Sequence, residues 1–320
     1  MKLVTFRLHN GGIEKAGALL DDSHILDFAA AEPRFFGLSL LEILRGSAGR
    51  IAALQGLAER AGTLPPGAVL LSEAVELLAP IPRPVSVRDG YAFRQHVETA
   101  RRNRGLGMIP EFDQFPIFYF TNHLAVIGPG ELRVGQRRLE QLDFELELFA
   151  VIGKPVMNPT LEEADDAIAG YGVMNDFSAR ALQMEEMKLN LGPAKGKDFA
   201  TAIGPWLVTK DELADRITPS ENGNVLHARM TAEVNGVQVS DGNANQMNWT
   251  FAQIIQRAAD GVRLEPGEVI GSGTVGTGCF LELNGSKITD NQWLRPGDSI
   301  SLAIEGLGTL THRIVEDAAR

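Results

Sequence analysis

From Gln141 to Gly153 the chain reads Gln141-Leu142-Asp143-Phe144-Glu145-Leu146-Glu147-Leu148-Phe149-Ala150-Val151-Ile152-Gly153. Acids alternate with apolar residues and then give way to an unbroken apolar run rich in strand formers, so this segment is expected to be a β-strand. Side chains alternate faces along a strand, which sets Phe144, Leu146 and Leu148 on one side and Asp143, Glu145 and Glu147 on the other. Glu145 and Glu147 then lie roughly 7 Å apart at Cα, close enough to converge on one ion. Crowded carboxylates repel unless a hard divalent cation relieves the cost. The same alternation also suits the solvated face of an amphipathic antiparallel strand. The segment alone leaves both readings open.

The rest of the composition narrows the partners. At 320 residues the chain can bury a sizeable core and hold one large domain beside a small one. A formal charge of −11 argues against nucleic acid or an anionic membrane, but a small anion can still meet a locally positive site. Cys279 is the only cysteine, so an intramolecular disulfide and a cysteine-rich zinc site are both excluded. The start, Met1 to Arg7, lacks the apolar core of a signal peptide, and the expected location is the cytoplasm.

Residues 1–30 read as short strands (Lys2–Leu8, Glu14–Leu20, His24–Asp27), followed by helical spacing over Leu38–Leu44 and Ile51–Ala61. The alternating prolines of residues 79–84 suggest an extended linker, which divides the chain into a small N-terminal module, 1–78, and a larger domain, 85–320. Asp89 is a candidate N-cap for a helix running to about Arg104, with His96 two turns further on. Arg180 and Gln183, three apart, share one face of a helix expected to start near Ser178. The stretch Gly192-Pro193-Ala194-Lys195-Gly196-Lys197-Asp198 is one residue short of a phosphate loop and has Asp198 where Ser or Thr is required. Asn235-Gly236 signals a hairpin between two strands. Gly271-Ser272-Gly273-Thr274-Val275-Gly276 has dinucleotide-loop spacing, yet Cys279–Leu283 after it reads as another strand rather than the helix a phosphate would need.

Taken in order, Asp89…His96, Glu145-x-Glu147, Asn175–Arg180 and Gly192-Pro193-x-x-Gly196-Lys197 resemble the fumarylacetoacetase (fumarylacetoacetate hydrolase) family. Further matches are Pro116-x-x-Tyr119, Gly204-Pro205-Trp206, Gly271–Thr274 and Leu281-Glu282-Leu283, so the likeness covers most of residues 85–285. The resemblance implies an α+β, β-rich fold: a mixed β-sandwich roll with a small N-terminal β-rich domain, usually a homodimer. It implies that Asp89, Glu145, Glu147 and Asp176 hold one Mg²⁺ or Ca²⁺, with Mn²⁺ also suited. The residue types agree independently, since four carboxylates make an oxygen-only site for a hard cation.

By the same resemblance Glu282 orients His96 as the base that activates water, while Lys197, Arg180 and Gln183 stabilise the oxyanion. Tyr91, Tyr119 and Thr274 would contact the substrate. The implied reaction is hydrolytic carbon–carbon cleavage of a 1,3-diketo acid, fumarylacetoacetate or an acylpyruvate-like compound, of the kind met in aromatic compound catabolism. Two alternatives stand beside it: decarboxylation, isomerisation or dehydration of a 2-oxo acid, and cation-dependent binding without turnover. The chain also departs from the mammalian-type pattern, with Met187 where a substrate-binding tyrosine is expected and Arg101, Arg102 and Arg104 competing for one arginine position.

Overall fold

A computed structural model describes residues 1–9, 11–46 and 48–318, of which 48–50 by backbone only. The fold is α+β and β-rich. Among the described residues the largest sheet has twelve strands, and its main path runs Val69–Leu71, His24–Asp27, Lys15–Asp21, Lys2–Leu8, Thr201–Thr209, Ile168–Asp176, Leu146–Ile152, Val269–Gly271, Val87–Gly90, Phe118–Thr121. A second sheet orders Val237–Asn243, Arg229–Val234, Ser299–Ile304, Gly308–Glu316 and Gly130–Val134. Asn235 and Gly236, both with positive φ, make the tight turn of its hairpin.

The acidic strand lies deep inside the large sheet, and this decides between the two readings of its alternation. Leu146, Leu148, Ala150 and Ile152 pack into one core with Met230, Ala232, Ile300, Leu302 and Leu310 of the second sheet. Phe149 and Val151 point the other way, into a core built with Leu3, Leu26, Phe28 and the N-terminal helical residues Leu40, Ile43, Leu54 and Leu57. Every residue of Leu146–Ile152 is buried, so the solvated-face reading fails. The pairing breaks at Phe144 and Glu145, where the Glu145 N–H donates to the Asn175 side-chain oxygen at 2.9 Å instead of to a neighbouring strand.

Residues 1–78 extend this same sheet, because Lys2–Leu8 pairs antiparallel with Thr201–Thr209. The proline-rich 79–84 stretch lies against them. Ala79 and Ile81 are buried, and the Pro80 carbonyl accepts a hydrogen bond from the Thr5 hydroxyl at 2.7 Å.

Two local expectations are overturned. Asp89 does not cap a helix; it sits in the strand Val87–Gly90, and the following helix, Arg94–Arg102, starts after Phe93. Cys279–Leu283 is not a strand: Phe280–Gly285 is helical. That helix is fixed by a carboxylate, since Asp143 accepts the N–H of Phe280 at 2.7 Å and of Leu281 at 3.0 Å. Its first amides are thereby occupied, so the glycine loop before it still offers no phosphate seat. The Gly192–Asp198 loop is likewise closed to phosphate, because Glu186 accepts the amides of Ala194, Lys195 and Gly196.

Candidate active site

Four strands bring the acids together. Asp89 lies on the strand that runs parallel to Val269–Gly271, opposite Gly271, where an added Cβ would fall 2.5 Å from the Asp89 carboxylate. Only glycine leaves room for this carboxylate. Glu147 lies across from Met174, two residues before Asp176 ends its strand. Ligand atoms of Asp89, Glu145, Glu147 and Asp176 all fall within 4.8 Å of one another, and all four residues are buried.

The charges around this cluster are unevenly matched. Lys197 donates to Glu145 at 2.5 Å and to Asp176 at 2.7 Å. Arg180 donates to Glu145 at 2.7 Å, to Asp143 at 2.8 Å and to the Gln183 side-chain oxygen at 2.9 Å. Burial alone would raise the Glu145 carboxyl, but Lys197 and Arg180 hold it down at about 2. No cation pairs with Asp89 or Glu147 among the described residues. Burial, then the charge of Asp176, pushes Asp89 up to about 7; burial, then Asp89, drives Glu147 well above the usual carboxylate range. What these two acids have is each other, joined by a side-chain hydrogen bond, the Gly273 N–H, at 3.2 and 3.0 Å, and the Thr274 hydroxyl, which donates to Glu147 at 3.3 Å.

A divalent cation fits this donor set. Once ionised, Asp89 and Glu147 would carry between them the charge such an ion cancels, and Asp176 Oδ1 is buried with no hydrogen-bond partner.

Behind the acids, two helices bring His96 and Glu282 into contact. His96 Nδ1 lies 2.7 Å from Glu282 Oε2, and Glu282 Oε1 accepts the Thr277 N–H at 3.0 Å. The ring therefore donates from Nδ1, and Nε2 has no protein partner among the described residues. Tyr91 stands edge-on to the His96 ring, with centroids 5.8 Å apart. Cys279 lies within 4.8 Å of the pair, its thiol pushed up by burial and by Asp143.

One cavity of about 630 Å³ is lined by Asp89, Glu145, Glu147, His96, Tyr91, Tyr119, Arg180, Gln183, Lys197 and Thr274 together. Asp176 and Glu282 are held just behind that lining through Lys197 and His96. The twelve residues expected to hold the metal, act in catalysis or touch the substrate are thus gathered at one place. Tyr119 meets the cluster differently from the expectation, because its hydroxyl donates to Asp176. Asp143 was missed as a site residue. Its only sequence signal was its place at the head of the same i, i+2 series of acids, and it has turned from the cluster to hold Arg180 and the helix of Glu282.

Sheet order, buried acids and the histidine–glutamate pair define a class of enzyme, and similarity to known proteins agrees. The family model described as fumarylacetoacetate (FAA) hydrolase C-terminal matches residues 86–315, and the chain belongs to that family. It is 30% identical to the oxaloacetate tautomerase YisK of Bacillus subtilis over 329 aligned positions, covering 98% of this chain and 100% of that protein. It is 31% identical to a 2,4-didehydro-3-deoxy-L-rhamnonate hydrolase of Sphingomonas over 204 positions, 63% of this chain and 65% of that enzyme. The solved fumarylacetoacetate hydrolase of psychrophilic Exiguobacterium antarcticum superposes with a TM-score of 0.73 at 25% identity, covering 99% of this chain and 100% of that one. Its relatives thus include both hydrolases and a tautomerase. Among the described residues no helix is long and apolar enough to cross a membrane.

Proposed function

We propose that the protein is a divalent-cation-dependent hydrolase that cleaves the carbon–carbon bond of a 1,3-diketo acid. The observation that carries this reading is the His96–Glu282 contact at 2.7 Å, in the wall of the cavity that holds the four acids. A tautomerisation needs only a group to move a proton at carbon. A hydrolysis needs a base braced to take a proton from water and to bear the resulting charge, and a carboxylate behind an imidazole supplies that.

Mg²⁺, Ca²⁺ or Mn²⁺ held by Asp89, Glu145, Glu147 and Asp176 would supply Lewis acidity to the diketo oxygens and make the enolate a tolerable leaving group. The remaining work falls to the chain itself. His96 Nε2 takes a proton from water, and Glu282 stabilises the imidazolium that forms. The new C–O bond converts the carbonyl at C4 into a tetrahedral oxyanion. Gln183 lines the cavity with its oxygen committed to Arg180, which leaves its amide hydrogens to donate, and with Lys197 and Arg180 it would provide donors for that charge. The C3–C4 bond then breaks, its electron pair passes to C3, and C3 takes up a proton. One water and one diketo acid become two acids. Tyr91 and Thr274 line the space where a substrate carboxylate would lie. The protein is proposed to work as a homodimer.

A second reading, keto–enol tautomerisation of a 2-oxo acid, is favoured by likeness to a tautomerase along nearly the whole chain. Product analysis separates the two. With Mg²⁺ or Mn²⁺ and acylpyruvates in ¹⁸O-water, the hydrolase yields two acids, one labelled in its new carboxylate. Enol–keto exchange of oxaloacetate without any cleaved product would replace this reading with the second.

A further inference from the structure

The cavity is much wider than a four-carbon substrate requires, and its walls change character along one helix. On Arg180–Glu186 and the turn after it, Arg180, Gln183, Met184 and Met187 face the cavity at i, i+3, i+4 and i+7. Arg180 touches Glu145 at the acid cluster. At 1.5 Å per residue, Met187 lies about 10 Å further along the axis. Polar donors thus give way to two methionines that remain 37% and 40% exposed. Ile117, Leu281 and Trp293 line the same cavity.

A second helix brings charge to the same cavity. Arg101 and Arg104 line the cavity from the helix of His96 and its end, and neither meets a carboxylate among the described residues. Their Nε atoms are used by the Gly107 and Ala100 carbonyls, at 2.5 and 3.0 Å, which leaves the ends of both guanidinium groups for a ligand. Arg104 lines the cavity together with Tyr91 and His96.

We propose that the substrate is a diketo acid with one carboxylate, set toward Arg101 and Arg104, and an uncharged alkyl or aryl arm lying along Met184 and Met187. This rests on the hydrolase reading above and specifies its substrate class. A second carboxylate lying along Met184 and Met187 would lose its water against side chains that offer it no donor. Methionine is a suitable wall for such an arm, because its unbranched, polarisable side chain adapts to varied apolar shapes. Oxaloacetate and fumarylacetoacetate, each with a carboxylate at both ends, fit this surface poorly.

The test uses the full chain with Mn²⁺ and four probes: 2,4-dioxopentanoate, 2,4-dioxooctanoate, 2,4-dioxo-4-phenylbutanoate and the dicarboxylate 2,4-dioxooctanedioate. The expected kcat/KM rises about fourfold for each methylene added to the arm, and the dicarboxylate falls at least tenfold below the octanoate. Calorimetric affinities of 2-oxo acids with the same arms should rank alike. In Met187→Lys the ratio of dicarboxylate to octanoate kcat/KM should rise at least tenfold. Cleavage of all four probes at similar rates, or preference for the dicarboxylate in the wild type, would overturn the proposal while leaving the hydrolase reading intact. Absence of any cleavage, with only enol–keto exchange, would remove that reading and this proposal with it.

Discussion

Glu282→Gln is the sharpest probe of the site, because the replacement keeps the shape and changes only charge and proton placement. Glu282 accepts on both oxygens, from His96 Nδ1 at 2.7 Å and from the Thr277 N–H at 3.0 Å. A glutamine has one acceptor and one donor end. If its NH₂ faces His96, it donates to Nδ1, the ring proton moves to Nε2, and the base can no longer accept a proton from water. If its oxygen faces His96, the NH₂ is pressed against the Thr277 N–H, and two donors meet in a buried site. Either way the imidazolium loses a nearby charge, worth about 4 kcal/mol for groups ~4 Å apart at an effective dielectric of ~20. That corresponds to a fall in kcat of about a thousandfold, inside the usual range of about 10²–10⁴ for general-base catalysis. Glu282 does not line the cavity, so KM should move little. The assay follows loss of diketone absorbance with saturating Mn²⁺. His96→Ala should be about equally impaired, and the double variant no worse than either single one, since the two side chains act as a unit. A Glu282→Gln enzyme within about fivefold of wild type in kcat would refute the assignment of the base.

Three further outcomes are expected. Asp89→Asn removes one of the two acids that lack a cation, so stabilisation by Mn²⁺, about 2.7 kcal/mol at a hundred times Kd, should largely vanish. The metal-free variant should melt no lower than the metal-free wild type; an unchanged Mn²⁺-induced rise in Tm would contradict the proposed ligand set. His312 is buried, donates from Nε2 to the Gly128 carbonyl at 2.9 Å, and is pushed down to about 4 by burial. The unfolded ring protonates near 6.5, so its contribution is complete above that pH. It is lost as pH falls from 6.5 toward 4, by about 3 kcal/mol in all. Urea midpoints at pH 7 and pH 4.5 should converge more in His312→Gln than in wild type, and identical pH dependence would count against this. Asp143→Asn should cost about 2–4 kcal/mol in urea and slow turnover, because it weakens a buried ion pair and a helix N-terminus at once; a cost under about 0.5 kcal/mol would show that Asp143 is not needed there.

How far the chain could be read in advance depended on whether a signal was local. The Asn235-Gly236 turn and the alternation of Phe144, Leu146 and Leu148 are properties of adjacent residues, and both recur in the fold. The four acids were named from their order along the chain by resemblance, and their convergence needed three strand pairings that no short segment announces. The pairing of Lys2 with Val208 left no local trace at all, since each strand reads the same whether or not the other is present. Asp89 reads as a cap in the sequence because aspartate is among the residues strongly preferred just before a helical run. Here the strand Val87–Gly90 carries it past that role, and Phe93 takes the position before the helix. The helix at Phe280 was hidden because Phe280-Leu281-Glu282-Leu283 holds too few residues to separate a helical period from a strand.

That misread helix shows why Asp143 matters to the whole site. Six residues form too short a helix to hold itself in water, and its first amides are satisfied from outside, by Asp143. The same carboxylate anchors Arg180, whose other end grips Glu145. Glu282 rides on the helix and Glu145 belongs to the acid cluster, so one buried aspartate sets the distance between the base and the acids. Had Asp143 faced the cluster with Glu145 and Glu147, as strict alternation would place it, a fifth carboxylate would have joined an already repulsive group and the helix would have lost its anchor. The break in pairing at Phe144 and Glu145 avoids both: it frees the chain from strict alternation at the point where consecutive acids must serve opposite sides of the site.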